Sequence, residues 1–209
     1  MHAYGGTRLN YGATEVRGNH EKVAKAISTI FNAPLVAIYA FTILILFLNL
    51  TSPLPLLVVC AFFVCILPYL MIIYLVRAGI IPDMFASDRR TRTKPFLAAI
   101  GSYAGGMIAL ILLQSPRMLT ALMACYVVNS IVMMLITQVW KISVHASGIA
   151  GPGTFLLHQL GIVMLPFFLL VLPIGWARLE LRAHTRNQVL AGALLTIGLT
   201  LVQSQLYLK

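Results

Sequence analysis

The chain has 209 residues, 60% of them hydrophobic and only 10% charged, with a mean hydropathy of +0.92 and a formal net charge of +10. A water-soluble globule carries about a quarter of its residues as charges, so this composition excludes that class and leaves no room for a soluble domain. The expected fold class is all-α: a polytopic membrane bundle of six or seven transmembrane helices, each of roughly 20 apolar residues, preceded by an amphipathic interfacial helix.

Residues 1–33 form the first unit. They lack the basic start, apolar core and small-residue cleavage site of a signal peptide, so the N-terminus is expected to be retained. The start reads as disordered. Asn19 then reads as the cap of a helix that places Val23, Ile27, Ile30 and Phe31 on one face and Lys22 and Lys25 on the other, a pattern suited to a membrane surface. Pro34 ends this helix or opens the next.

Residues 34–209 form the transmembrane unit. Apolar length and Pro/Gly punctuation predict seven segments: Pro34 to Leu50, Leu54 to Ile80, Pro95 to Leu113, Met118 to Trp140, Ala146 to Gly161, Val163 to Leu181 and Gln188 to Leu206. The stretch from Gly148 to Leu181 can also be drawn as one kinked helix, but Gly161 and Pro166 favour a turn. Charge supports seven. With that count the N-terminal region and the loops Asp83 to Lys94, Lys141 to His145 and Arg178 to Arg186 fall on one side with thirteen of the fifteen basic residues, counting Arg77 near its helix end, leaving Arg117 and Lys209 opposite. The positive-inside rule then makes the basic side cytoplasmic. One-sided topology accounts for the net charge, so nucleic acid is not an expected partner, whereas anionic lipids are.

Cys60, Cys65 and Cys125 lie in apolar runs without a Cys-X-X-Cys pair and read as small core residues. No His/Cys/Asp/Glu cluster has ligand spacing, so neither a metal nor a cofactor is expected. His158 reads as an interface histidine with local hydrogen bonds.

Three basic-side stretches point to phosphate chemistry. Arg89, Arg90, Arg92 and Lys94 pack four cations into six positions, a density suited to a diphosphate or to topological anchoring. Lys141, Ser143, His145 and Ser147 surround a predicted helix start, where backbone N–H groups and hydroxyls can hold anions and an imidazole can move a proton near neutral pH. Ala177-Arg178, five residues, His184, three residues and Gln188 form the third.

This third stretch resembles the third signature of the type 2 phosphatidic acid phosphatase superfamily, Ser-Arg, five residues, His, three residues, Asp, with Ala177 for serine and Gln188 for aspartate. Ile142-Ser143-Val144-His145 resembles its Pro-Ser-Gly-His signature, keeping serine and histidine. The first signature, Lys, six residues, Arg-Pro, is not intact: Lys94-Pro95 has Ser87 where lysine belongs. His184-Thr185 with Gln188-Val189 is similar to the branch that hydrolyses dolichyl diphosphate. The resemblance implies a metal-independent lipid phosphatase in which His184 attacks phosphorus, His145 protonates the leaving group and Gln188 orients His184. Arg178, Ser143 and basic residues drawn from Arg89, Arg92, Lys94 and Lys141 would hold phosphoryl oxygens.

Two functions fit this pattern. One is a phosphatase of a polyprenyl diphosphate or similar lipid phosphate. The other is a catalytically degenerate relative that serves as a structural or lipid-binding subunit beside other membrane subunits. A transporter is disfavoured because discontinuous helices in matched halves are not evident.

Overall fold

In the computed structural model the described residues are 8–82 and 89–208, with side chains described from residue 18 and, after the gap, from residue 90. These residues form eight longer helices, one 3-10 turn at Arg89–Thr91 and no strand: α1 Arg8–Ile30, α2 Ala33–Phe47, α3 Pro53–Arg77, α4 Thr93–Leu112, α5 Arg117–Val139, α6 Val144–Leu160, α7 Ile162–Glu180 and α8 Arg186–Tyr207. Five of them, α3, α4, α5, α7 and α8, are long and apolar enough to cross a membrane, and the pair α1–α2, bent by 51°, makes a sixth when counted as one broken span.

The predicted segments appear within a few residues of their expected bounds, and their breaks have local causes. Asn32 caps α2 by accepting from the Leu35 N–H at 3.0 Å, and Pro34 sits in the first turn, where its missing N–H costs nothing. Between α6 and α7 the chain turns at Gly161, whose φ of 82° favours glycine, so Gly148 to Leu181 is two helices. In α3 the turn Phe62–Ile66 widens to a π-helix just before Pro68. Proline has no N–H to offer the Phe63 carbonyl, which accepts instead from the Ser102 hydroxyl of α4 at 2.6 Å.

Two expectations are corrected at the N-terminus. Asn19 lies inside α1 and does not cap it, because the helix begins at Arg8. The predicted apolar face is divided: Ala24, Ser28, Ile27 and Phe31 are buried or half-buried, whereas Val23 and Ile30 are exposed. The buried side of α1 packs against α7, where His20 meets Trp176 edge to face. The expected disordered start at residues 1–7 lies outside the described residues.

The main core gathers Phe41 and Leu44 of α2, Val64 of α3, Leu110 of α4, Leu122 of α5 and Phe155 of α6. Cys60 and Cys125 are buried in it and Cys65 packs against it. His158 accepts or donates locally, with Gln159 at 2.8 Å and the Ser204 hydroxyl at 3.5 Å.

Helix α6 is the axis of the bundle. It is buried almost continuously from Ile149 to Leu156 and contacts α2, α5, α7 and α8. Small residues allow these approaches. A Cβ on Gly148 would sit 2.7 Å from Cβ of Ala33, and one on Gly192 of α8 would sit 2.7 Å from the Ser143 carbonyl oxygen and 2.9 Å from Ser147 Oγ. Because backbone cannot yield as a flexible side chain does, Gly192→Ala is expected to destabilise the fold by about 1–3 kcal/mol. Gly198→Ala, in the same helix with nothing within 4 Å, is expected to be neutral or stabilising by up to about 1 kcal/mol. Thermal unfolding of the two variants in one detergent checks the pair.

Candidate functional site

Alternation of helix direction brings the start of α4, the α5–α6 loop, the α7–α8 loop and α1 to one end of the bundle. The links are explicit. Arg92 donates from Nη1 to the Ile142 carbonyl at 3.3 Å, the Ser143 N–H donates to the Gln188 carbonyl at 3.2 Å, and Arg178 donates from Nη1 to the Ser28 hydroxyl at 2.8 Å.

Ser143 begins α6. Its hydroxyl accepts from the Ala146 N–H at 3.4 Å, so it serves as an N-cap. Ser147 is likewise occupied, its hydroxyl lying 2.9 Å from the Gly192 carbonyl and 3.0 Å from that of Ser143. This hydroxyl fastens α6 to α8 and does not hold an anion. His145, in the first turn, keeps a buried Nε2 with no hydrogen-bond partner among the described residues. Burial acts most strongly against its charged form, and the neighbouring Arg178, His184 and Arg92 add to this.

The α7 C-terminus is built to fold His184 back. Arg182 adopts a left-handed φ of 50°, and the N–H groups of Ala183 and His184 both return to the Arg178 carbonyl, at 3.1 and 3.3 Å. His184 is therefore held over the helix end that carries Arg178, and is 8% exposed. Arg178 has a second free valence, since its buried Nε has no partner among the described residues.

Thr185 and Gln188 form a capping box at the start of α8: the Gln188 N–H donates to Thr185 Oγ1 at 3.4 Å, and Gln188 Oε1 accepts from the Thr185 N–H at 3.2 Å. The same Oε1 lies 3.1 Å from His184 Nδ1. An oxygen that already accepts from a backbone N–H must face Nδ1 as an acceptor, so Nδ1 carries the proton and the lone pair sits on Nε2. Burial pushes the His184 pKa down to about 4; the Gln188 hydrogen bond opposes the shift, and Arg178, Arg92 and Lys141 add to it. His184 is thus neutral at pH 7 with its Nε2 lone pair available.

Of the expected site residues, His145, Arg178, His184, Gln188, Ser143, Arg92 and Lys141 come together. Lys94 does not. It is exposed and lines a hollow between α3 and α4, while Arg92, two residues earlier, is buried at the centre. The side chain of Arg89 lies outside the described residues. Ser28 is the member that spacing did not reveal: it is 150 residues from its partner, and a serine inside an amphipathic helix carries no signal of its own.

A small hollow of 70 Å³ adjoins the start of α6, lined chiefly by apolar groups, among them Phe96, Tyr103, Met133, Val144 and Gly148. Among the described residues no group of three or more His, Cys, Asp or Glu side chains is placed to hold a metal ion. Comparisons with family models, with curated proteins and with solved structures find no match to this chain.

Two outcomes follow from this geometry. Hydrogen bonds to charged groups contribute about 1.5–3 kcal/mol, so Ser28→Ala is expected to lower the melting temperature in detergent while Thr29→Ala, at an exposed neighbour, leaves it unchanged. For His184 the unfolded chain binds the extra proton below about pH 6.5 and the folded chain only below about 4. Stability is therefore expected to fall as pH drops through that window, and melting curves of His184→Gln should show a smaller loss than the wild type.

Proposed function

We propose that this chain is a multi-pass membrane protein, its basic end in the cytoplasm, that hydrolyses a lipid phosphate of the polyprenyl diphosphate kind through a phosphohistidine, as a degenerate member of the type 2 phosphatidic acid phosphatase superfamily. One observation carries the reading. A neutral His184 with its Nε2 lone pair set by Gln188 stands in the same cation-lined centre as His145, whose Nε2 has no partner among the described residues.

Phosphoryl transfer asks a protein chiefly for positioning and for charge stabilisation. Arg178, Arg92 and Lys141 supply the positive field, to which the N-terminal end of α6 adds its partial positive charge. His184 Nε2 attacks phosphorus as the bond to the leaving oxygen breaks, and His145 gives that oxygen a proton. Water then attacks the phosphohistidine, yielding a proton to His145 and freeing His184. Burial first, and the arginines after it, disfavour a protonated His145; an anionic substrate beside it offsets both, because it favours the imidazolium. The hollow beside α6 suits the first carbons of the lipid chain.

The second reading, a silent lipid-phosphate-binding subunit, is favoured by Gln188, which orients His184 without neutralising charge on it. Phosphate release from a polyprenyl diphosphate by purified protein separates the two. On the phosphatase reading His145→Ala lowers kcat by about 10²–10⁴-fold and His184→Ala abolishes turnover. Equal phosphate release by wild type and His184→Ala sinks it, and binding without release establishes the silent subunit. The acidic limb of kcat/KM is expected where His184 protonates, near pH 4. Gln188→Asp should move that limb to higher pH, because a carboxylate favours the imidazolium.

A further inference from the structure

We infer that the hollow between α3 and α4 is a binding site for an anionic phospholipid, separate from the centre that holds the two histidines. The inference rests on the membrane reading of the bundle and does not depend on catalysis.

The site is built from two helix faces. Leu70, Met71, Tyr74 and Leu75 recur at helical spacing along the second half of α3, and Lys94, Leu97 and Ala98 along the first turns of α4. They border an open hollow of about 460 Å³, within the roughly 300–1,000 Å³ of ligand clefts. Leu70 and Leu97 are about half exposed and Tyr74 more so, so the hollow opens sideways from the bundle. Its flanks belong to two helices long and apolar enough to cross a membrane.

Charge selects the occupant. Among the described residues Lys94 is the single charged group lining an otherwise apolar cleft, and it stands at the end where Arg92 meets the α5–α6 loop. It forms no ion pair among the described residues and is not among the charges acting on His145 or His184. Arg92 and Lys94 are two residues apart, about 200° around a helix axis, so one turns into the bundle and the other onto its flank. A phospholipid matches both halves of the cleft: its phosphate meets the ammonium at headgroup level, and one acyl chain lies along Leu70, Met71 and Leu97. An unpaired lysine over an apolar groove discriminates for lipids of net negative charge, because a zwitterionic headgroup brings its own cation to the same place.

The test uses full-length protein in detergent exchanged into micelles doped with phosphatidylglycerol or phosphatidylcholine, with retained lipid counted by native mass spectrometry. One phosphatidylglycerol is expected to be retained per chain in preference to phosphatidylcholine, by about fivefold for one cation near the headgroups. Lys94→Ala should abolish the preference, Lys94→Arg should keep it, and Leu97→Trp, which fills the cleft, should lose both lipids. His184→Ala should retain lipid as the wild type does, which separates this outcome from failure of the phosphatase reading. Equal retention of the two lipids by the wild type, an unchanged preference in Lys94→Ala, or displacement of the lipid by millimolar inorganic phosphate would overturn the proposal.

Discussion

The close contact between the start of α6 and the first half of α8 is the constraint on which the site depends. Gly192 lets the Ser143 backbone approach to within ordinary contact of α8, the Ser143 N–H reaches the Gln188 carbonyl, and the Ser147 hydroxyl closes on the Gly192 carbonyl. These bonds join backbone to backbone or to a short, stiff side chain, so little slack remains between the two helix starts. His145 is carried by one of them and the His184–Gln188 pair by the other. Without this contact the two imidazoles would belong to separate helix ends.

Electrostatics works against the assembly and is answered by position. Arg92, Arg178 and Lys141 share a small region, where all three act on His184 and Arg92 acts on Arg178, and gathering like charges away from bulk water is expensive. Each arginine is partly satisfied by a neutral oxygen, Arg92 by the Ile142 carbonyl and Arg178 by the Ser28 hydroxyl. All three lie at or beside helix ends, Arg92 at the start of α4, Lys141 before α6 and Arg178 in the last turn of α7. The centre holds concentrated positive charge with two uncharged imidazoles inside it, an arrangement that an anion improves. Gln188 fits this environment, since it can orient His184 while bringing no carboxylate to pair with the arginines.

Much of this was legible in the chain. The breaks between seven helical segments are marked by their own punctuation, at Pro34, Gly161 and the basic loops, because such signals act through local backbone chemistry; the number of spans is not, since only five helices, or six with the bent α1–α2 pair, are long and apolar enough to cross a membrane and α6 is not one of them. The pairing of Arg178, His184 and Gln188 is also local, set by one helix end and one capping box. What escaped depends on rotation about helix axes. Whether Arg92 or Lys94 turns inward is decided by how α4 packs, not by the density of cations. Val23 and Ile30 read as one face with Ile27, yet the packed side of α1 is set by where Ala24 and Ser28 can approach α7. Ser28 itself is recognisable only from its distant partner.

The order of these elements along the chain has a consequence for biogenesis. Helix α8 supplies Gln188 and Gly192, and the loop before it supplies His184, whereas Arg92 and His145 precede them by one or more helices. A ribosome that has delivered α1 to α7 has therefore made every arginine of the centre and the first imidazole, but not the group that is ordered by the capping box. Until α8 emerges, the face of α6 that carries Ala146 and Ala150 lacks the helix that covers it. The centre is thus complete only once α8 is present, since Gln188 orients His184.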